Sequence, residues 1–101
     1  MAVISVNENN FGEAKNSPKT VLLDFYADWC GPCKMMSPIV DKIAEEHPEY
    51  FVGKVNVDDS PDLAESFGVM SIPTLIVLKG GEVSGKTVGV QSKEAILEML
   101  A

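Results

Sequence analysis

Trp29-Cys30-Gly31-Pro32-Cys33 holds the only two cysteines of this 101-residue chain, and two residues separate their sulfurs. If this segment opens a helix, positions i and i+3 share a face, with Cβ atoms roughly 5–6 Å apart. A disulfide needs Cα atoms about 4.4–6.8 Å apart and Cβ atoms about 3.5–4.5 Å apart. The pair can then close and open with little backbone movement. A helix start also favours the thiolate of a nearby cysteine, through unpaired N–H groups and the helix dipole. Pro32 suits a first helical turn, where its missing N–H removes no helical hydrogen bond. Spacing and helix geometry together predict a redox dithiol.

The flanking sequence supplies the context. After Pro32, the residues Met35, Met36, Ile39, Val40, Ile43 and Ala44 recur at helical spacing, until His47-Pro48 ends the helix. Before the cysteines, Thr20 to Ala27 reads as a strand apolar on both faces, the pattern of a buried central strand. Val3 to Val6 is a shorter β-rich run, followed by a weak helix around Phe11 and Ala14 that Ser17-Pro18 breaks. Phe51 to Val57 reads as a strand. Ser60-Pro61 opens a short helix through Phe67, with Ser60 as N-cap and Gly68 at its end. Thr74 to Lys79, the Gly80-Gly81 turn and Glu82 to Val88 form a hairpin signal. Ser92 caps a last helix with an apolar face of Ile96, Leu97 and Leu100. Strands alternating with helices, then a hairpin and a helix, predict an α/β fold: a mixed sheet covered by helices on both faces. With no repeat, linker or low-complexity tract, residues 1–101 read as a single domain.

Composition narrows the function. The net charge is −7 and arginine is absent, so no basic patch exists to neutralise nucleic-acid phosphates. The longest apolar runs, Val21-Leu22-Leu23 and Leu75-Ile76-Val77-Leu78, are far too short to span a bilayer. Residues 1–20 lack a basic start and an apolar stretch of signal-peptide type, which makes a cytoplasmic location the expectation. In that reducing compartment, a cysteine pair is read as catalytic or metal-binding before it is read as a permanent staple. Zinc takes about four ligands, and here two cysteines and His47 would need carboxylates to complete a site. No metal and no bound cofactor are expected, and nothing in the sequence suggests more than a monomer.

Phe25-Tyr26-Ala27-Asp28-Trp29-Cys30-Gly31-Pro32-Cys33-Lys34 closely resembles the active-site signature of the thioredoxin family. The resemblance continues through Pro38, Lys54-Val55-Asn56-Val57-Asp58, Ser71-Ile72-Pro73-Thr74 and Val88-Gly89, in the family's order and at its separations. It implies a five-stranded mixed central sheet flanked by four helices. It further implies a protein-disulfide reductase that is recharged by a reductase of nicotinamide–flavin or ferredoxin type and acts on oxidised client proteins. Tyr26 stands where bacterial members often carry a second tryptophan.

The candidate site residues follow. Cys30, at the helix start, is the expected nucleophile, and Cys33, one turn in and expected to be the more buried, resolves the mixed disulfide. Asp24 interrupts the most apolar strand, where burial would raise its pKa towards neutrality. It is then poised to take the Cys33 proton, the role the resemblance implies, or it is a partly hydrated acid that the fold tolerates. Lys54 matches a family lysine near that acid and otherwise reads as a solvated strand-end lysine. The resemblance implies that Pro73 follows a cis bond beside the dithiol. Trp29, Gly31, Pro32, Val57, Ile72, Val88 and Gly89 would then form, with Pro73, a small apolar docking rim. His47 reads as a surface helix cap. Two rival readings remain at this stage. One is a more oxidising relative that makes or shuffles disulfides, and the other is an interaction subunit that keeps this fold without using its sulfurs.

Overall fold

A computed structural model describes residues 2–101. The run Val21–Tyr26, apolar except for Asp24, becomes strand β2, buried along nearly its whole length, at the centre of a five-stranded sheet. Around it lie β1 (Ile4–Ser5), β3 (Phe51–Asn56), β4 (Thr74–Lys79) and β5 (Glu82–Val88), in the order β1-β3-β2-β4-β5. β3 runs parallel to both β1 and β2, whereas β4 runs antiparallel to β2 and to β5. The helices are α1 (Phe11–Lys15), α2 (Gly31–Glu46), α3 (Pro61–Ser66) and α4 (Lys93–Leu100).

Period-2 alternation divides β2 between two apolar layers. Leu23 and Phe25 face α1 and α3, packing with Val55, Ile76, Leu63 and Ala64, and Phe67 tilts against Phe25 with ring centroids 5.7 Å apart. Leu22 faces α2 and α4, joining Leu75 and Val77 to Met36, Val40, Ile43, Ile96 and Leu100. Asp24 lies on this second face, directly opposite Lys54 of β3 and Leu75 of β4.

Two expectations change at the edges. The first strand shortens to Ile4–Ser5, because Asn7 and Asn10 draw the chain into a turn. The Asn7 side chain accepts from the backbone of Asn9 and Asn10, and the Asn10 side chain accepts from Asn7. Ser60 occupies the N-cap position of α3 but makes no side-chain cap bond there; it is buried, and Pro61 starts the helix without needing a partner for an N–H. Ser92 does cap α4, accepting from the Ala95 N–H at 3.1 Å. Gly80 and Gly81 both have positive φ, at 60° and 81°, as a two-residue hairpin turn matched to twisted strands requires.

Candidate active site

The chain leaves the end of β2 at Tyr26 and reaches the N-terminus of α2 within five residues, so the most buried strand aims the dithiol. Cys30 is the N-cap of α2, with extended backbone, and its sulfur accepts the Cys33 N–H at 3.2 Å. The sulfur thus takes the place that a Ser or Asp oxygen fills at most helix starts. An N–H aimed at it and the positive end of the dipole both stabilise negative charge there. Cys30 and Cys33 are joined as a disulfide, with Cα atoms 5.3 Å apart. The two are almost equally buried, at 5% and 4% exposure, so Cys33 lies only marginally deeper. Tyr26, Ala27, Val57 and Ile72 close over both. What differs is the side each one meets. The Cys30 sulfur lies 3.9 Å from the Ile72 carbonyl oxygen, and Cys33 lines a cleft of about 240 Å³ with Tyr26, Lys34, Ser37 and Lys54.

Asp24 is fully buried, and neither carboxylate oxygen has a hydrogen-bond partner. Desolvation pushes its pKa up from 3.8 to about 6, partly offset by the Lys54 charge and reinforced by Asp41. Lys54, its partner across the strands, is half-buried rather than freely solvated. Its ammonium donates to the Ser37 hydroxyl and lies 5.3 Å from the centroid of the Tyr26 ring.

On the other side of the dithiol, a groove of about 410 Å³ is lined by Trp29, Val57, Ala64, Val69, Met70, Ser71 and Ile72. Trp29 is 71% exposed, and its indole N–H donates to Asp58 at 2.9 Å, which fixes one edge of the ring. The Ile72–Pro73 bond is cis, and the Pro73 carbonyl accepts the Gly89 N–H at 2.8 Å. That bond brings the end of β5 against the loop. Gly89 has φ +93°, which glycine alone adopts without strain. Of the expected rim, Trp29, Val57 and Ile72 line this groove, while Gly31, Pro32, Pro73, Val88 and Gly89 lie outside its lining. Ala64, Val69, Met70 and Ser71 complete it. Sequence reasoning missed Ser37 as well, although its position one turn beyond Cys33 was a usable signal. The family resemblance includes Asp58, but nothing in the sequence signals its bond to Trp29. His47 ends α2, donating its backbone N–H to Ile43, and its ring bonds Glu49 at 2.9 Å. Among the described residues, no group of three or more His, Cys, Asp or Glu side chains is placed to hold a metal ion. No described helix is long and apolar enough to cross a membrane.

A closely spaced cysteine pair closed as a disulfide at a helix start, with a buried acid beneath the same helix and an apolar groove beside the sulfurs, defines a thiol–disulfide oxidoreductase. Comparison with known proteins narrows that class. The thioredoxin family profile matches residues 2–101. The thioredoxin of Alicyclobacillus acidocaldarius is 45% identical over 101 residues, covering 99% of this chain and 96% of that protein. That of Bacillus subtilis is 43% identical over 101 residues, with the same coverage. The solved structure of a mutant thioredoxin from Halobacterium salinarum superposes with a TM-score of 0.91 at 35% identity, covering 97% of this chain and 87% of that one. The chain belongs to the thioredoxin family. It is a protein-disulfide reductase, and members of this family act on oxidised protein substrates and are themselves reduced by thioredoxin reductase.

Proposed function

We propose that Cys30 is the attacking thiol, Cys33 the resolving thiol and Asp24 the acceptor of the Cys33 proton. The Cys30 thiolate attacks one sulfur of a client disulfide, forming a mixed disulfide and releasing the other client sulfur as a thiolate. Cys33 then gives its proton to the Asp24 carboxylate, directly or through one water, and attacks the Cys30 sulfur. The Cys30–client bond breaks, the second client thiolate leaves, and the Cys30–Cys33 disulfide remains. Two electrons have passed to the client. The observation that carries this reading is the Cys30 sulfur at the N-cap of α2, accepting the Cys33 N–H.

Lys54 tempers the acid by its charge. The groove beside Ile72 takes an extended client segment, with Trp29, Val57 and Ile72 as apolar contacts; Gly31, Pro32, Pro73, Val88 and Gly89 extend the docking rim beyond its lining. The protein acts as a monomeric, cytoplasmic single domain, recharged by a reductase of nicotinamide–flavin or ferredoxin type.

The test is the reduction potential of the Cys30–Cys33 couple, read by equilibration in graded thiol–disulfide buffers and alkylation of free thiols. A reductant requires a value at or below about −220 mV, the upper edge of the cytosolic glutathione range. In parallel, Cys33→Ser should accumulate the mixed disulfide with an oxidised client, and Cys30→Ser should form none. A potential near about −120 mV, that of a strong oxidant, or a trapped client on Cys33 in the Cys30→Ser protein, would overturn the assignment.

A further inference from the structure

Asp24 and Lys54 sit directly opposite each other on adjacent parallel strands, on the face covered by α2. A lysine so placed has the reach to pair with the acid, and a buried carboxylate without a partner attracts it. Yet both Asp24 oxygens are without a partner, and the Lys54 ammonium instead donates to Ser37 on α2 and lies against the Tyr26 ring. Ser37, Lys54 and Tyr26 all line the cleft that also reaches Cys33. In this cleft the ammonium keeps a hydroxyl acceptor, an aromatic face and access to solvent. Moving onto Asp24 would exchange these for a buried ion pair and its desolvation penalty.

We propose that Ser37 is a positioning residue, whose hydroxyl holds the Lys54 ammonium off Asp24 and leaves the acid unpaired for proton transfer. The proposal rests on the reading of Asp24 as the proton acceptor. The groups facing Asp24 are Lys54 from β3, Asp41 from α2 and Tyr26 from its own strand, and β4 sets the apolar Leu75 beside it. Only Lys54 among them is a cation that Ser37 restrains. Without the hydroxyl, the ammonium is free to pair with the carboxylate, and such pairing lowers a carboxylate pKa by about 1–3.

The experiment is a carbon-13 NMR titration of the Asp24 carboxyl in the oxidised protein, compared for wild type, Ser37→Ala, Ser37→Thr, Lys54→Met and the Lys54→Met/Ser37→Ala pair. Alanine is the best helix former and Ser37 is only half-buried, so the Ser37→Ala helix is retained. The Asp24 midpoint should fall by about one pH unit or more in Ser37→Ala. It should return with Ser37→Thr, and Ser37→Ala should not move it in the Lys54→Met background. A midpoint that stays or rises in Ser37→Ala, or an equal fall without Lys54, overturns the proposal. Rate–pH profiles of client reduction for the same variants and for Asp24→Asn separate the two ideas. If the Ser37→Ala midpoint falls while Asp24→Asn leaves the rate profile unchanged, Ser37 still positions Lys54 and the acceptor role of Asp24 is lost.

Discussion

Replacing Asp24 with asparagine should stabilise the protein, and by an amount that depends on pH. The side chain is fully buried with no partner for either oxygen, so its ionised form is the costly one in the folded state. Its pKa rises from 3.8 to about 6 on folding. At about 1.36 kcal/mol per pH unit, that interval is worth about 3 kcal/mol. The sign follows from proton binding. Below 3.8 the carboxyl is protonated in both states and carries no ionisation penalty. Between 3.8 and about 6 the unfolded chain releases its proton first, so stability falls as pH rises, and the loss is complete once the pH has passed the folded-state value. Asparagine keeps the shape and the unpaired dipole but never ionises. The stability difference between Asp24→Asn and wild type should therefore grow by about 3 kcal/mol between pH 3 and pH 8, a large share of the total for a domain of this size. Urea unfolding of both oxidised proteins at several pH values measures that difference directly, because groups common to both cancel. A difference that stays constant across the range would refute the argument, since it would mean that Asp24 ionises as easily folded as unfolded.

Two further substitutions probe other parts of the fold. Asp58→Ala removes the acceptor for the Trp29 indole; stability should change by about 1 kcal/mol or less, while the steady-state fluorescence anisotropy of this single tryptophan falls and the KM for oxidised clients rises. An unchanged anisotropy would show that Asp58 does not hold the ring. Gly53→Ala places a Cβ 2.6 Å from Cγ2 of the buried, stiff Val6 and 3.2 Å from Leu23, so unfolding midpoints should report a loss of about 1–3 kcal/mol together with faster amide exchange in β1. Wild-type stability in this variant would mean that β1 moves away without cost.

What could be read in the sequence was what the chain does locally. The dithiol is legible because both sulfurs lie within one helical turn, and β2 because an apolar run with no polar face has to be covered on both sides. Asp24 stood out for the same reason, as one charge in that run. The rest depends on segments that meet only in the folded protein. Cys33 is buried barely more than Cys30 because Val57 and Ile72, from two other strand ends, pack against the pair, and order along the chain carries no sign of that. The groove is finished by Ala64, Val69 and Met70, residues of α3 and the loop behind it, where the sequence shows only a short helix ended by Gly68. Ser60 reads as a cap from its neighbours alone, but tertiary burial takes its side chain out of that role.

The position of Asp24 on β2 joins the stability argument to the chemistry. At pH 7 an acid with a pKa of about 6 is ionised by about ten to one, which is the state the proposed acceptor role requires. Left at 3.8 it would be ionised but a weak base, and with a pKa well above 7 it would already carry the proton that the proposed role has it accept. Desolvation alone pushes towards that second failure, and full pairing with Lys54 pushes towards the first. The observed arrangement lies between them. The acid is stripped of water and partners, while the cation sits close enough for its charge to be felt but is occupied by Ser37 and the Tyr26 ring. Such a compromise needs a rigid frame, because a small shift of the lysine would turn one regime into the other. The central strand, hydrogen-bonded on both edges and packed on both faces, is the part of this fold that supplies it.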